Sequence, residues 1–291
     1  MAQLIINIIY SCLLYSMVSL AFAFIYTTAK FFNVTNAIIF TLSAYFSFLF
    51  FQQLSCPLYL SILIAILLAV AIGVSSEYFF YKSLRKKNSH SFVLLIASLG
   101  MYVVLQNIIS LIWGDATLSI RIGEVKVGHQ FFRAFITSIQ IISISVSIIL
   151  LVLSLVFYKF TQLGRQMRAV SSNHELAIVF GINSSKVILK AFAIGSGMAA
   201  IAGILVAFDT DIRPTMGFNL LLYGVVAMII GGVGSTWGLV GGALLLATAQ
   251  HLGAYYIDSK WMDAITYVIL IVFLIWKPLG FSGQRLKKIE I

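Results

Sequence analysis
The reactive side chains of this 291-residue chain are few: four histidines, two cysteines and nine acids. His90, His129, His174 and His251 are scattered without metal-ligand spacing, and Cys12 and Cys56 form neither a CxxC pair nor a Cys/His cluster. No serine, histidine and acid fall into an arrangement that would activate a nucleophile. The glycine-rich run from Gly231 to Gly242, G-G-V-G-S-T-W-G-L-V-G-G, is not a nucleotide cradle. A Walker-type loop needs Lys directly after its last glycine, and no Lys stands between Arg213 and Lys260. The chain is therefore expected to be no enzyme and to bind no metal or cofactor of its own.

The chemistry that is left is hydrogen bonding within apolar surroundings. Asn33, Thr35, Asn36, Ser98, Gln106 and Asn107 lie in otherwise apolar segments. Polar groups are costly in lipid, so these residues are expected to face the protein interior, either lining a solute route or joining helices. Gly231, Gly232 and Gly234 are candidates for the same route, because a hinge or broken helix there would supply free helix ends. The bland alternative is close packing: Gly234, Gly238 and Gly242, like Gly195, Ala199 and Gly203, recur every four residues as small helix faces. Glu77 is an acid within an apolar segment, near one end, free to reach water or Lys82. A relay of ionisable groups at mid-membrane, as a stand-alone ion-coupled transporter would need, is missing.

The elements that position these residues are set by composition. The chain is 61% hydrophobic and 10% charged, with a mean hydropathy of +1.04. An ordinary soluble domain is about 25% charged. Apolar segments run near 4–29, 33–52, 57–81, 91–113, 135–158, 188–208, 220–233, 236–256 and 261–277. They are continuous, not alternating, so helices are expected and a barrel is not. The fold class is an all-α polytopic transmembrane bundle of eight or nine segments. Segment 33–52 opens on polar residues and 220–233 is short, so either is a candidate broken or re-entrant helix. The first 29 residues carry no Lys or Arg, unlike the charged start of a secretory signal, and read as a retained span. Residues 1–291 form one membrane domain, with a cytoplasmic loop at 159–187.

The net charge of +10 is spread among loops, which points to topology and not to nucleic acid. With Lys30, 82–90, 159–190 and 277–291 on one side, fourteen of the nineteen basic residues share that side. The positive-inside rule then puts the amino terminus outside and the carboxyl terminus in the cytoplasm.

The cytoplasmic loop from Thr161 to Asn183 carries the signals of a short helix. Ser172 with Glu175 three residues on reads as a capping box, Leu176, Ala177, Val179 and Phe180 as a short apolar face, and Gly181 as a C-cap. Such a helix, flanked by Arg165 and Arg168, suits the groove of a soluble partner or a lipid surface.

Glu175-Leu176-Ala177 with Gly181 resembles the E-A-A-x-x-x-G loop of ABC importer permeases. The stretches Gly164 to Val170, G-R-Q-M-R-A-V, Asn173 to Ala177, N-H-E-L-A, and Gly181-Ile182-Asn183 resemble the branched-chain amino acid permeases of the LivH/LivM type. Similar too are Leu95 to Asn107, which ends in L-Q-N, the Gly231 to Gly242 run, and Lys277-Pro278-Leu279-Gly280. The chain departs from the family at Asn33-Val34-Thr35-Asn36-Ala37-Ile38, where N-F-A-H-G-E is common.

The resemblance implies a permease subunit of the bacterial cytoplasmic membrane, importing branched-chain or related amino acids by ATP-driven alternating access. It implies two ABC ATPase subunits holding ATP and Mg, a second LivM-like permease and an extracytoplasmic solute-binding protein. Gly164, Arg165, Arg168, Glu175, Ala177 and Gly181 would couple to the ATPase. Urea or short amides are the alternative cargo.

Overall fold
A backbone in hydrocarbon must satisfy its own hydrogen bonds. The computed structural model describes residues 1–87, 89–120, 128–131 (129–131 by backbone only), 134–277 and 280–281, and it folds the apolar runs into helices. These are α1 (Ala2–Ala29), α2 (Thr35–Phe48), α3 (Leu58–Ser75), α4 (Lys82–Lys86), α5 (Ser91–Trp113) and α6 (Ser138–Phe160). There follow α7 (Gln162–Ser172), α8 (His174–Val179), α9 (Ser184–Asp209), α10 (Met216–Gly231), α11 (Thr236–Tyr256) and α12 (Met262–Trp276). A π-helical turn, Leu49–Gln53, prolongs α2, and a second, Ser76–Tyr81, joins α3 to α4 without a break. Among the described residues, seven helices are long and apolar enough to span a bilayer. The pair α10 and α11, bent by 117° across four residues, passes the same test together.

Segment 33–52 thus holds one continuous helix that starts at Thr35. Its polar start at Asn33 to Asn36 is absorbed by packing and not by a break. The bend falls instead at Gly232 to Ser235, where Gly232 and Gly234 have φ of 91° and 96°. Gly234 precedes α11 in this turn and is exposed, so it is not on the expected small face. Segment 135–158 begins later than its apolar run. Ala134–Ile136 (β2) pairs antiparallel with His129–Phe131 (β1), and Thr137 with Gln140 forms a capping box that starts α6 at Ser138. Of the expected Lys277 to Gly280 motif, Pro278 and Leu279 lie outside the described residues, as do Arg121, Lys126, Arg133, Arg285, Lys287 and Lys288 of the charge count.

Two central helices organise the bundle. The first, α1, packs on α6, α9, α10 and α11; the second, α2, packs on α3, α5, α9 and α10. Their apolar windows are 78% and 72% buried, against 22% for α3, α5 and α6 and 6% for the last span. Close approach comes from glycine. A Cβ on Gly203 would collide with the Phe40 carbonyl of α2, and one on Gly242 with the Ala227 carbonyl of α10. Van der Waals contact of this kind is what holds helices together in lipid.

Chain alternation sorts the connections to two ends. At one end, the hairpin end, Phe135 joins Gln3 and Leu118 bridges Ile212. At the other, the arm end, Lys30 Nζ reaches Ser171 and Phe281 donates its N–H to the Ile230 carbonyl.

Candidate functional site
The arm end carries two short helices outside the apolar spans. The first, α7, starts where the Thr161 hydroxyl accepts the Gly164 N–H at 3.0 Å. Gly164 lies so close to the Phe157 and Tyr158 carbonyls that a side chain there would force α7 off the end of α6. Met167 and Val170 are buried on the bundle side of α7, and Arg165 is exposed. Arg168 leans back over the Tyr158 ring, 5.3 Å from its centroid, and donates to the Lys159 carbonyl.

The start of α8 corrects the expected capping box. Ser172 is the last residue of α7, and Asn173 is the cap. At φ −152° and ψ 115°, Asn173 is extended, so its Oδ1 faces the amides ahead and accepts from Glu175 N at 3.0 Å and Leu176 N at 3.1 Å. Glu175 therefore sits in the first turn, where the helix dipole favours an acid. Gly181 ends the helix as expected: at φ 78° it donates to Ile178 O, while Ile182 donates to Ala177 O. Of the expected apolar face, only Ala177 is buried. Leu176, Ile178, Val179 and Phe180 are 54%, 55%, 79% and 80% exposed. His174 is exposed, yet partial desolvation of its ring holds its pKa below the usual value, and the Arg85 charge adds to this against the opposing pull of Glu175.

Behind the arm lies a buried polar cluster at the α1–α2 junction. Lys30, at φ 59°, ends α1, and the chain turns into α2. The Asn33 Oδ1 accepts the Thr35 N–H at 3.1 Å and the Tyr81 hydroxyl at 3.2 Å. Thr35 Oγ1 lies 2.5 Å from the Tyr81 hydroxyl and donates to the Ser98 carbonyl at 3.0 Å, while Ser98 Oγ accepts the Val34 N–H at 3.1 Å. The Tyr81 ring packs between Phe31 and Phe192, so the first turns of α9, which follow α8 in the chain, touch the cluster. The structure thus brings Asn33, Thr35 and Ser98 together and adds Tyr81. No sequence signal marked Tyr81, because an aromatic at the end of a span reads as an interfacial anchor.

Other candidates fall elsewhere. Asn36 is buried, and neither of its side-chain polar atoms has a partner among the described residues. Gln106 and Asn107 lie two turns or more along α5 from Ser98, about 12 Å and more at 1.5 Å per residue. Asn107 is exposed and bonds back to its own helix at Val103 O, so the expectation that it faces this chain's interior fails. The reason is that α5 packs mainly on α2 and leaves its far side open. Gly231 is buried against Gly238, and Gly232 follows it into the bend. Glu77 pairs with Arg85 and not with Lys82, which instead covers the Tyr78 ring.

A second polar set lies toward the hairpin end. Tyr15 donates to Gln250 Oε1 at 2.7 Å, Gln250 Nε2 donates to Thr266 at 2.6 Å, and Ser11 meets His251 at 2.8 Å. Tyr10 donates to Asp209 at 3.0 Å, and Tyr223 bonds Asp263. Asp209 therefore ties α9 to α1.

Comparison with known proteins matches this arrangement along nearly its whole length. A family described as "Branched-chain amino acid transport system / permease component" matches residues 4–274. The high-affinity branched-chain amino acid transport system permease protein LivH of Escherichia coli K12 is 30% identical over 283 residues, covering 93% of this chain and 91% of LivH. BraD of Pseudomonas aeruginosa, described in the same terms, is 28% identical and covered to 92%. In fold, the chain is similar to PsaBC from Streptococcus pneumoniae, solved in complex with Fab, with a TM-score of 0.52 at 12% identity over 97% of this chain and 93% of that one. The chain belongs to the branched-chain amino acid ABC transporter permease family.

Proposed function
We propose that this chain is the membrane-spanning permease subunit of an ABC importer that moves branched-chain or related amino acids by ATP-driven alternating access. The observation that carries this reading is the arm: a short capped helix outside the spans presents Leu176, Ile178, Val179 and Phe180 to solvent. Exposed carbon of that kind marks a docking surface, and an amphipathic helix entering a groove is a recurrent mode of docking. The occupant is one of two ATPase subunits, which bind ATP and Mg in place of this chain. The positive-inside count places the arm in the cytoplasm and the hairpin end outside, where a solute-binding protein delivers cargo. Solute passes between this single-domain chain and a second LivM-like permease. Gly164, Arg165, Glu175, Ala177 and Gly181 build or present the arm, and their role is mechanical. The amino acid cargo rests on LivH and BraD, the relatives named for it.

The test is Val179→Glu with Phe180→Glu in the assembled importer. Both side chains are about four-fifths exposed, so folding and insertion stay intact. Amino acid uptake is expected to fall more than about tenfold, with loss of the co-purifying ATPase, as a hot-spot pair worth at least about 2 kcal/mol requires. Normal uptake and normal ATPase recovery in this variant would sink the reading.

A further inference from the structure
At the arm end, the last two turns of α6, the first turn of α11 and Arg168 of α7 enclose an open groove of about 500 Å³. Its walls are carbon: Val156 and Phe160 come from α6, and Trp237, 76% exposed, comes from α11. Its rim is cationic. Lys159 Nζ sits 5.4 Å over the Phe160 ring, and the Arg168 guanidinium sits 5.3 Å over the Tyr158 ring. Arg168 also donates to the Lys159 carbonyl, which holds the two cations at the same helix end. No acid lines the groove, and among the described residues neither cation belongs to an ion pair.

The position decides what fits. Lys159 is the penultimate residue of a membrane span, and Thr236 opens the next helix lining the groove, so the walls lie at the membrane boundary. A water-soluble anion gains nothing from aliphatic walls, and a neutral lipid leaves two cations without a counter-charge. We infer that this groove is a binding site for a phospholipid with an anionic headgroup. Its acyl chain lies along Val156, Phe160 and Trp237, and its phosphate is held by Lys159 and Arg168. Basic pockets between spanning helices are suited to such headgroups, and tryptophan at headgroup level is its usual neighbour. Arg168 is thereby assigned to lipid and not to the coupling arm.

The test uses the purified importer in vesicles of phosphatidylcholine containing either brominated phosphatidylglycerol or brominated phosphatidylcholine. Bromine quenches tryptophan on contact, and the difference between wild type and Trp237→Phe isolates the Trp237 signal. Brominated phosphatidylglycerol should quench that signal at a lower mole fraction, by about fivefold for each cation. Lys159→Gln and Arg168→Gln should each remove part of the preference and the double variant all of it, while Lys159→Arg keeps it. Equal quenching by both lipids, or a preference unchanged in the double variant, overturns the inference. So does no quenching by either lipid, which would mean that another protein chain covers the groove.

Discussion

The α8 arm and the α2 helix have opposite habits. Outside the spans, α8 exposes Leu176, Ile178, Val179 and Phe180, whereas within the bundle α2 buries Thr35, Asn36, Thr41, Ser43 and Ser47. The difference follows from solvent. Water drives carbon to find a partner, so an arm that shows carbon is incomplete alone. Lipid drives polar groups to find one, and among the described residues Thr35, Thr41 and Ser43 find theirs within the chain, whereas Asn36 and Ser47 do not. The arm is built to be covered; the core is built to be left alone.

The most severe way to break this contrast is to disturb the core. Gly203→Leu should abolish folded, monodisperse protein, because its side chain meets the Phe40 carbonyl of α2, and overpacking costs about 1–3 kcal/mol even where neighbours yield. Gly100→Ala, where an added Cβ meets nothing, should leave size-exclusion yield unchanged. Equal losses would mean that the two sides of α5 and α9 are not distinguished as described. The arm variant Val179→Glu with Phe180→Glu comes next: it should lose uptake while keeping its melting temperature, the reverse of a core lesion.

Tyr81→Phe sharpens the comparison at the boundary between the two regions. The ring keeps its place between Phe31 and Phe192, and only the hydroxyl at Asn33 and Thr35 is lost. Thermal denaturation should register about 1–3 kcal/mol for the polar groups left unpaired. No change in melting would show the cluster to be dispensable to the core.

The smallest effect is on the arm and depends on pH. The folded state holds His174 below its ordinary pKa, so the unfolded chain binds the proton more readily as pH falls. The contribution of His174 to arm stability is therefore fully present above the unfolded value of about 6.5 and is lost as pH drops below it toward the folded value. Limited proteolysis of the 161–183 loop should accelerate between about pH 7 and pH 5 in wild type but not in His174→Gln. An equal pH response in both would remove His174 from the account.

The spans were legible because continuous apolar runs of membrane length have few other folds. The C-cap at Gly181 was legible because its αL conformation has a residue preference. The N-cap was not: Ser172 and Asn173 are both good caps, and the backbone, not the residue type, decides which one leaves the helix. Nor did apolar pattern reveal that Asn107 faces away from the chain while Asn36 faces in, since both sit in helices that are apolar all round. Asp209 and Tyr10 are 199 positions apart, and no local pattern could pair them.

The π-helical turn at Ser76–Tyr81 is a phase shifter. It lets one extra residue into a helix that otherwise advances about 100° per residue, so everything beyond it is rotated by about that angle relative to the uninterrupted helix. Glu77 meets Arg85, eight positions on, and Tyr81 meets Asn33 only in this offset phase. Removing one residue from the turn would return the helix to its ordinary pitch and aim both side chains at different neighbours.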